Sequence, residues 1–189
     1  MSMFIVLLRG INVGGNKRIK MADLKVLFES IGFSSVQTLL QSGNVILESE
    51  ISDSTALAHQ LEAVIQKHFG FESKIILRTA DQWKDVILRH PFSAEQLSEP
   101  SKILVTFLRD SPTPESIAAL MSAHTGIEQL YVSGHECYGY FPEGLGRTKL
   151  DNGLIERKLK TMGTGRNWNT VSKLLALTET PPNRCRLVF

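Results

Sequence analysis

Along this chain the spacing of apolar positions changes several times, and each change marks an element. Phe4 to Leu8 (FIVLL) is apolar at every position and rich in branched side chains, which predicts a strand covered on both faces and central in its sheet. Met21, Leu24, Leu27, Phe28 and Ile31 then recur at helical spacing, with Gly32 as a left-handed stop. The run SVQTLLQSGNVILES reads as two extended segments joined through Ser42-Gly43, a hairpin. Asp53 stands where it can cap a second helix with the stripe Leu57, Leu61, Val64 and Ile65, and Gly70 follows it. SKIILR, Ser73 to Arg78, closes the unit as another strand.

This order, β-α-β-β-α-β, is the split βαβ or ferredoxin-like plan. A similar order then restarts. ILVTFLRD (Ile103 to Asp110) parallels FIVLLRG, a helix with Ile117, Leu120 and Met121 follows, and EQLYVSGHECYGY forms a hairpin around Ser133-Gly134. The pattern predicts an internal duplication: an α+β protein of two related ferredoxin-like halves, with antiparallel-type sheets, helices on one face and extra C-terminal helices. The expected divisions are a first half at 1–79, a linker at 80–101 and a second β-α-β-β half at 102–189. The linker should hold a short helix with Trp83, Val86 and Ile87. In the last segment Leu150, Leu154, Ile155 and Leu159 predict one helix and Val171, Leu174 and Leu175 another, separated by a Gly-rich break.

The repeat also supplies an internal control for loop length. Arg9 to Ser42 spans 33 positions and Arg109 to Ser133 spans 24, and the nine extra residues fall ahead of the first helix, in GINVGGNKRIK. Connections in compact domains are usually about four to six residues, and longer ones are more often functional. The segment at 10–20 is therefore read as an elaborated basic, Gly-rich loop.

With 189 residues, 42% hydrophobic and 21% charged, the chain suits one globular domain or two small ones. Cys137 and Cys185 are its only cysteines, too few and too far apart for a disulfide framework or a zinc site. Met3 to Leu8 is too short for a signal segment, and no later run approaches membrane length, so a cytoplasmic protein without membrane association is expected. The formal net charge of +2 is unevenly spread. Residues 1–20 carry four Lys/Arg and no acid, and 144–189 carry nine against three, so the ends sum to +10 and the middle to −8.

Named phosphate motifs fail on inspection. Gly10 and Gly15 have P-loop separation, but Asn16 stands where Lys is required and Lys17 where Ser or Thr is required. GLGRTK and GTGRNW each lack the third glycine of a dinucleotide fingerprint. A looser anion site remains, because backbone N–H groups at Gly14 and Gly15 beside Lys17 and Arg18 can cradle a phosphate without such a motif. In a ferredoxin-like unit Arg9, Asn12, Gln41, Ser42 and Asn44 fall at the same sheet edge. Further along, Arg147 with Lys149 and Arg166 with Asn167 precede predicted helices, although Asn167 equally reads as a helix cap and Trp168 as core. His135 and Cys137 share a strand face, the arrangement of a thiolate pair, yet such neighbours are more often ordinary strand positions. The remaining histidines, His59, His68, His90 and His124, have no ligand spacing, so neither a metal nor a cofactor is implied.

Taken in order, RGINVGGNKRIKM, QSGNVI, YFPEGLGRTKL and RNWNTV resemble the bacterial domain of unknown function 1697 family over nearly the whole chain. The resemblance implies two related ferredoxin-like halves. It implies no activity and brings no catalytic residues. The function expected from the residues is binding of a phosphate-bearing ligand (nucleotide, sugar phosphate or nucleic acid) at a basic polar surface site. The alternatives are an enzyme acting on a small acidic metabolite and a protein-interaction module. No aromatic-basic strand signature of an RNA-recognition sheet is present.

Overall fold

The structure, a computed structural model, describes all residues except Asn16, Arg147, Lys149 and 180–189. The chain divides into two compact units, Met1–Lys84 with the chain from Lys173, and Asp85–Ser172.

In the first unit β1 (Ser2–Leu8) lies inside a four-stranded sheet, between β3 (Asn44–Ser49) and β4 (Ile75–Thr79), with β2 (Ser34–Leu39) beyond β3. All neighbours are antiparallel. The continuous apolar run of β1 has its explanation here, since every residue from Phe4 to Leu8 is buried. Phe4, Val6 and Leu8 share a core with Leu24 and Phe28 of α1 (Met21–Ser30) and with Leu57, Leu61 and Ile65 of α2 (Ser54–Phe69). Asp53 caps α2 by accepting from the N–H groups of Thr55 at 2.8 Å and Ala56 at 3.3 Å, and Gly70 ends the helix in the left-handed conformation.

The segment after β4 forms α3 (Ala80–Leu88), α4 (Ala94–Leu97) and a single 3-10 turn at Pro100–Lys102. The second unit then repeats the first unit's plan. There β5 (Ile103–Leu108) lies between β7 (Glu136–Tyr140) and β8 (Gly163–Asn167), with β6 (Gln129–Ser133) outside β7. Helices α5 (Pro114–Ala123) and α6 (Asn152–Leu159) supply Leu120, Ile155 and Leu159 to its core, and α7 (Trp168–Glu179) follows β8. Both sheets thus have the same order and the same all-antiparallel pairing.

Two details differ from the sequence expectation. The Gly-rich break after α6 is the strand β8, paired with β5 from Leu104↔Asn167 to Leu108↔Gly163. Glycine there marks a close approach: a Cβ on Gly163 would lie 2.8 Å from Cγ2 of Thr106. The hairpin equivalence is also offset by one residue. Leu8 N–H donates to the carbonyl of Gly43 and Leu108 N–H to that of His135, each at 2.8 Å, so Ser42 corresponds to Gly134. Both turns still lie at the same end of their sheets. The connection from β1 to α1 runs over 9–20 and that from β5 to α5 over 109–113, so most of the length difference sits ahead of the first helix.

Candidate functional site

The long loop is folded back and pinned. Asn12 carries most of this: its Nδ2 donates to the carbonyls of Ile19 at 2.9 Å and Gln41 at 2.7 Å, while its Oδ1 accepts from Ile19 N–H at 2.9 Å. Its own N–H donates to the Lys17 carbonyl at 3.1 Å, closing the loop across 12–17. Asn12 and Lys17 both adopt left-handed backbone, with φ of 55° and 51°. Non-glycine residues there cost about 1 kcal/mol or more each, so the surrounding bonds have to hold them. Ile11 is buried against the hairpin turn, where a Cβ on Gly43 would lie 2.8 Å from its Cδ1.

Behind this loop lies a cleft of about 720 Å³. Asn12, Gly15, Arg18 and Lys20 line it from the loop, Gln41 from the hairpin turn, Met21, Ala22 and Asp23 from the first turn of α1, and Phe69 from the end of α2. The helix start is open. Lys20 occupies the capping position without a side-chain capping bond, and the N–H groups of Asp23 and Leu24 are the first to turn back, both onto the Lys20 carbonyl. Among the described residues nothing accepts from the N–H groups of Met21 or Ala22. Such an end carries roughly half a positive charge. With Arg18 and Lys20 set against the one carboxylate of Asp23, the cleft is net positive.

The residues singled out in the sequence fall into separate groups. Asn12, Gly15 and Arg18 line the cleft. Arg9 and Gly14 are exposed on the same loop, and the Lys17 ammonium donates to the Glu72 carbonyl at 2.7 Å. Asn44 is fully buried and donates to the Leu39 carbonyl at 2.9 Å and to Ser42 Oγ at 3.0 Å, so these two brace the hairpin turn. Arg166 is buried in β8, where its Nη1 donates to Thr164 Oγ1 at 2.7 Å and to the Gly165 carbonyl at 2.9 Å. That burial lowers its pKa to about 10. Asn167 accepts from Asn169 N–H at 3.0 Å, as a helix cap does, and donates to the carbonyls of Pro100, Ser101 and Ile103. Arg147 and Lys149 lie outside the described residues.

Sequence reasoning missed Asp23 and Phe69. Asp23 reads as an ordinary first-turn acid, and Phe69 reaches the cleft from a helix end 46 positions further along the chain. No periodicity links them.

The possible thiolate pair lacks its nucleophile. Cys137 is buried in β7 among Leu108, Leu120 and Phe141, and desolvation pushes its thiol up to about 12. In the same unit Glu128 accepts a short hydrogen bond from Thr148 Oγ1 and sits near His124, whose Nε2 bonds the Glu128 carbonyl at 2.8 Å. The Thr148 bond, with Glu128's own N–H and the neighbouring His124, holds this carboxyl below the usual range despite some desolvation. It is a clasp on the segment after β7, since Thr148 Oγ1 also accepts from Leu150 N–H at 2.9 Å.

Comparison with known proteins accords with this architecture. The family model described as "Protein of unknown function (DUF1697)" matches residues 1–138, and the chain belongs to that family. Among solved structures the fold is similar to that of a conserved bacterial protein from Streptococcus pneumoniae. The TM-score is 0.72 at 22% identity, over 93% of this chain and 98% of the other. No curated protein matches the chain. Among the described residues no helix is long and apolar enough to cross a membrane.

Proposed function

We propose that the protein binds a small phosphate-bearing molecule in the cleft between the 9–20 loop and the start of α1. The observation that supports this most is the contrast between corresponding helices. In the second unit α5 begins after a short connection, and Thr113 caps it by accepting from Ser116 N–H at 3.3 Å, with Glu115 in the first turn. In the first unit α1 has no such cap and opens instead into a cleft bearing Arg18 and Lys20. An anion supplies what the Thr113 hydroxyl supplies in the other half, an acceptor for the free N–H groups at the helix end.

On this basis the chain is a duplicated unit whose second copy keeps a plain connection and whose first has turned that connection into a binding loop. We assign it to a bacterial cytoplasm, a setting that suits a chain with only two cysteines. The test is thermal unfolding with inorganic phosphate at fixed ionic strength. A phosphate concentration ten times Kd stabilises by about 1.4 kcal/mol, or roughly 3–6 °C for a chain of this size. Arg18→Ala with Lys20→Ala should remove that shift. A double variant that keeps it would refute the site.

A further inference from the structure

We infer that this cleft takes a small phosphorylated sugar, free or as part of a nucleotide; the inference rests on the phosphate reading above. Three features beyond the cations support it. First, about 720 Å³ lies in the range of small-molecule sites, roughly 300–1,000 Å³, and a lone phosphate would leave most of it to water. Second, the half-buried Phe69 also lines the cleft, with Met21, an apolar surface suited to the C–H face of a sugar ring and wasted on an inorganic ion. Third, Asp23 and Gln41 also line the cleft, and among the described residues neither side chain has a hydrogen-bond partner. A carboxylate accepts hydrogen bonds only, so next to a phosphate it calls for a ligand that carries donors, as adjacent hydroxyls do.

Asp23 also argues against a polynucleotide. A single strand carries a negative charge on every nucleotide, so a strand anchored at α1 would bring further phosphates toward this carboxylate. A terminal phosphomonoester has only one anionic end. With its phosphate on the α1 N–H groups, Arg18 and Lys20, its hydroxyls meet Asp23 and its ring lies toward Phe69.

Titrations at fixed ionic strength with inorganic phosphate, ribose, ribose 5-phosphate, adenosine 5′-monophosphate and a short RNA lacking terminal phosphates test this. At least one of the two phosphorylated sugars should bind about tenfold more tightly than inorganic phosphate, the factor expected of hydroxyl bonds to a charged acceptor. The difference between the two identifies free sugar or nucleotide. Asp23→Asn should collapse most of the ratio between phosphorylated sugar and inorganic phosphate, inorganic phosphate itself binding more tightly once the neighbouring negative charge is gone. Because Asp23 also complements the helix end, Gln41→Ala serves as a second variant that leaves α1 untouched, and it too should narrow the advantage. The inference is overturned if neither phosphorylated sugar exceeds inorganic phosphate, or if the RNA binds more tightly than both. If no phosphate-bearing probe binds at all, it is the underlying phosphate reading that fails.

Discussion

Gly43→Ala tests how the binding loop is attached to the sheet. Gly43 has φ of 77°, and a Cβ there would lie 2.8 Å from Leu8 Cβ, 2.8 Å from Ile11 Cδ1 and 2.9 Å from Ile11 Cγ1. Alanine in left-handed backbone costs about 1–2 kcal/mol. Overpacking a close contact adds about 1–3 kcal/mol, because Leu8 is held in the sheet and Ile11 is buried beneath the loop. The total is about 2–5 kcal/mol. Gly14→Ala carries the backbone component alone, since Gly14 also has positive φ, 62°, but nothing lies within 4 Å of a Cβ built on it. Urea denaturation of the two variants should show a small loss for Gly14→Ala and a loss larger by at least 1 kcal/mol for Gly43→Ala, with phosphate stabilisation weakened in the latter as Ile11 shifts the loop. Equal losses would refute the packing argument, and an unperturbed Gly43→Ala would refute both components.

Asn12→Ala removes three side-chain hydrogen bonds, to Ile19 twice and Gln41 once, and should cost about 2 kcal/mol in chemical denaturation while making loop amides exchange faster. Cys137, with its thiol pushed up to about 12, should be alkylated at a rate set by unfolding, with no fast phase near neutral pH when the modified site is mapped by mass spectrometry. Glu128 titrates lower in the folded protein than in the unfolded chain, so its contribution is fully present above the ordinary glutamate pKa, about 4.3, and is lost as pH falls through the depressed value. Glu128→Gln should accordingly destabilise the protein at pH 7, with the gap to the parent closing on acidification; a gap independent of pH would show that the carboxylate charge is irrelevant.

Much of the fold was legible because its signals are local. The all-apolar run of β1, the Asp53 cap and the helical stripe of α2 each follow from a short window of sequence, and the match between FIVLL and ILVTF exposed the repeated plan. The strand β8 was hidden because GTGRN lacks β-branched bulk except at Thr164: its glycines serve close packing on Thr106 and Leu104, a tertiary reason invisible along the chain. The loop stood out by its length, and Arg18 and Gly15 with it. What the sequence could not show was the division of labour within the loop. Asn12 looks like a ligand contact but pins the backbone, Lys17 looks like a free cation but reaches Glu72, and the helix start that opens the cleft is recognisable only from a cap that is missing.

The most direct test of the account is a phosphate titration followed by amide ¹H–¹⁵N spectra of the full chain. Saturable shifts are expected at Met21, Ala22 and Gly15, with the Arg18 side chain responding in parallel, while Ser116 at the capped start of α5 stays still. Shifts scattered over exposed lysines without saturation, or a silent α1, would contradict it.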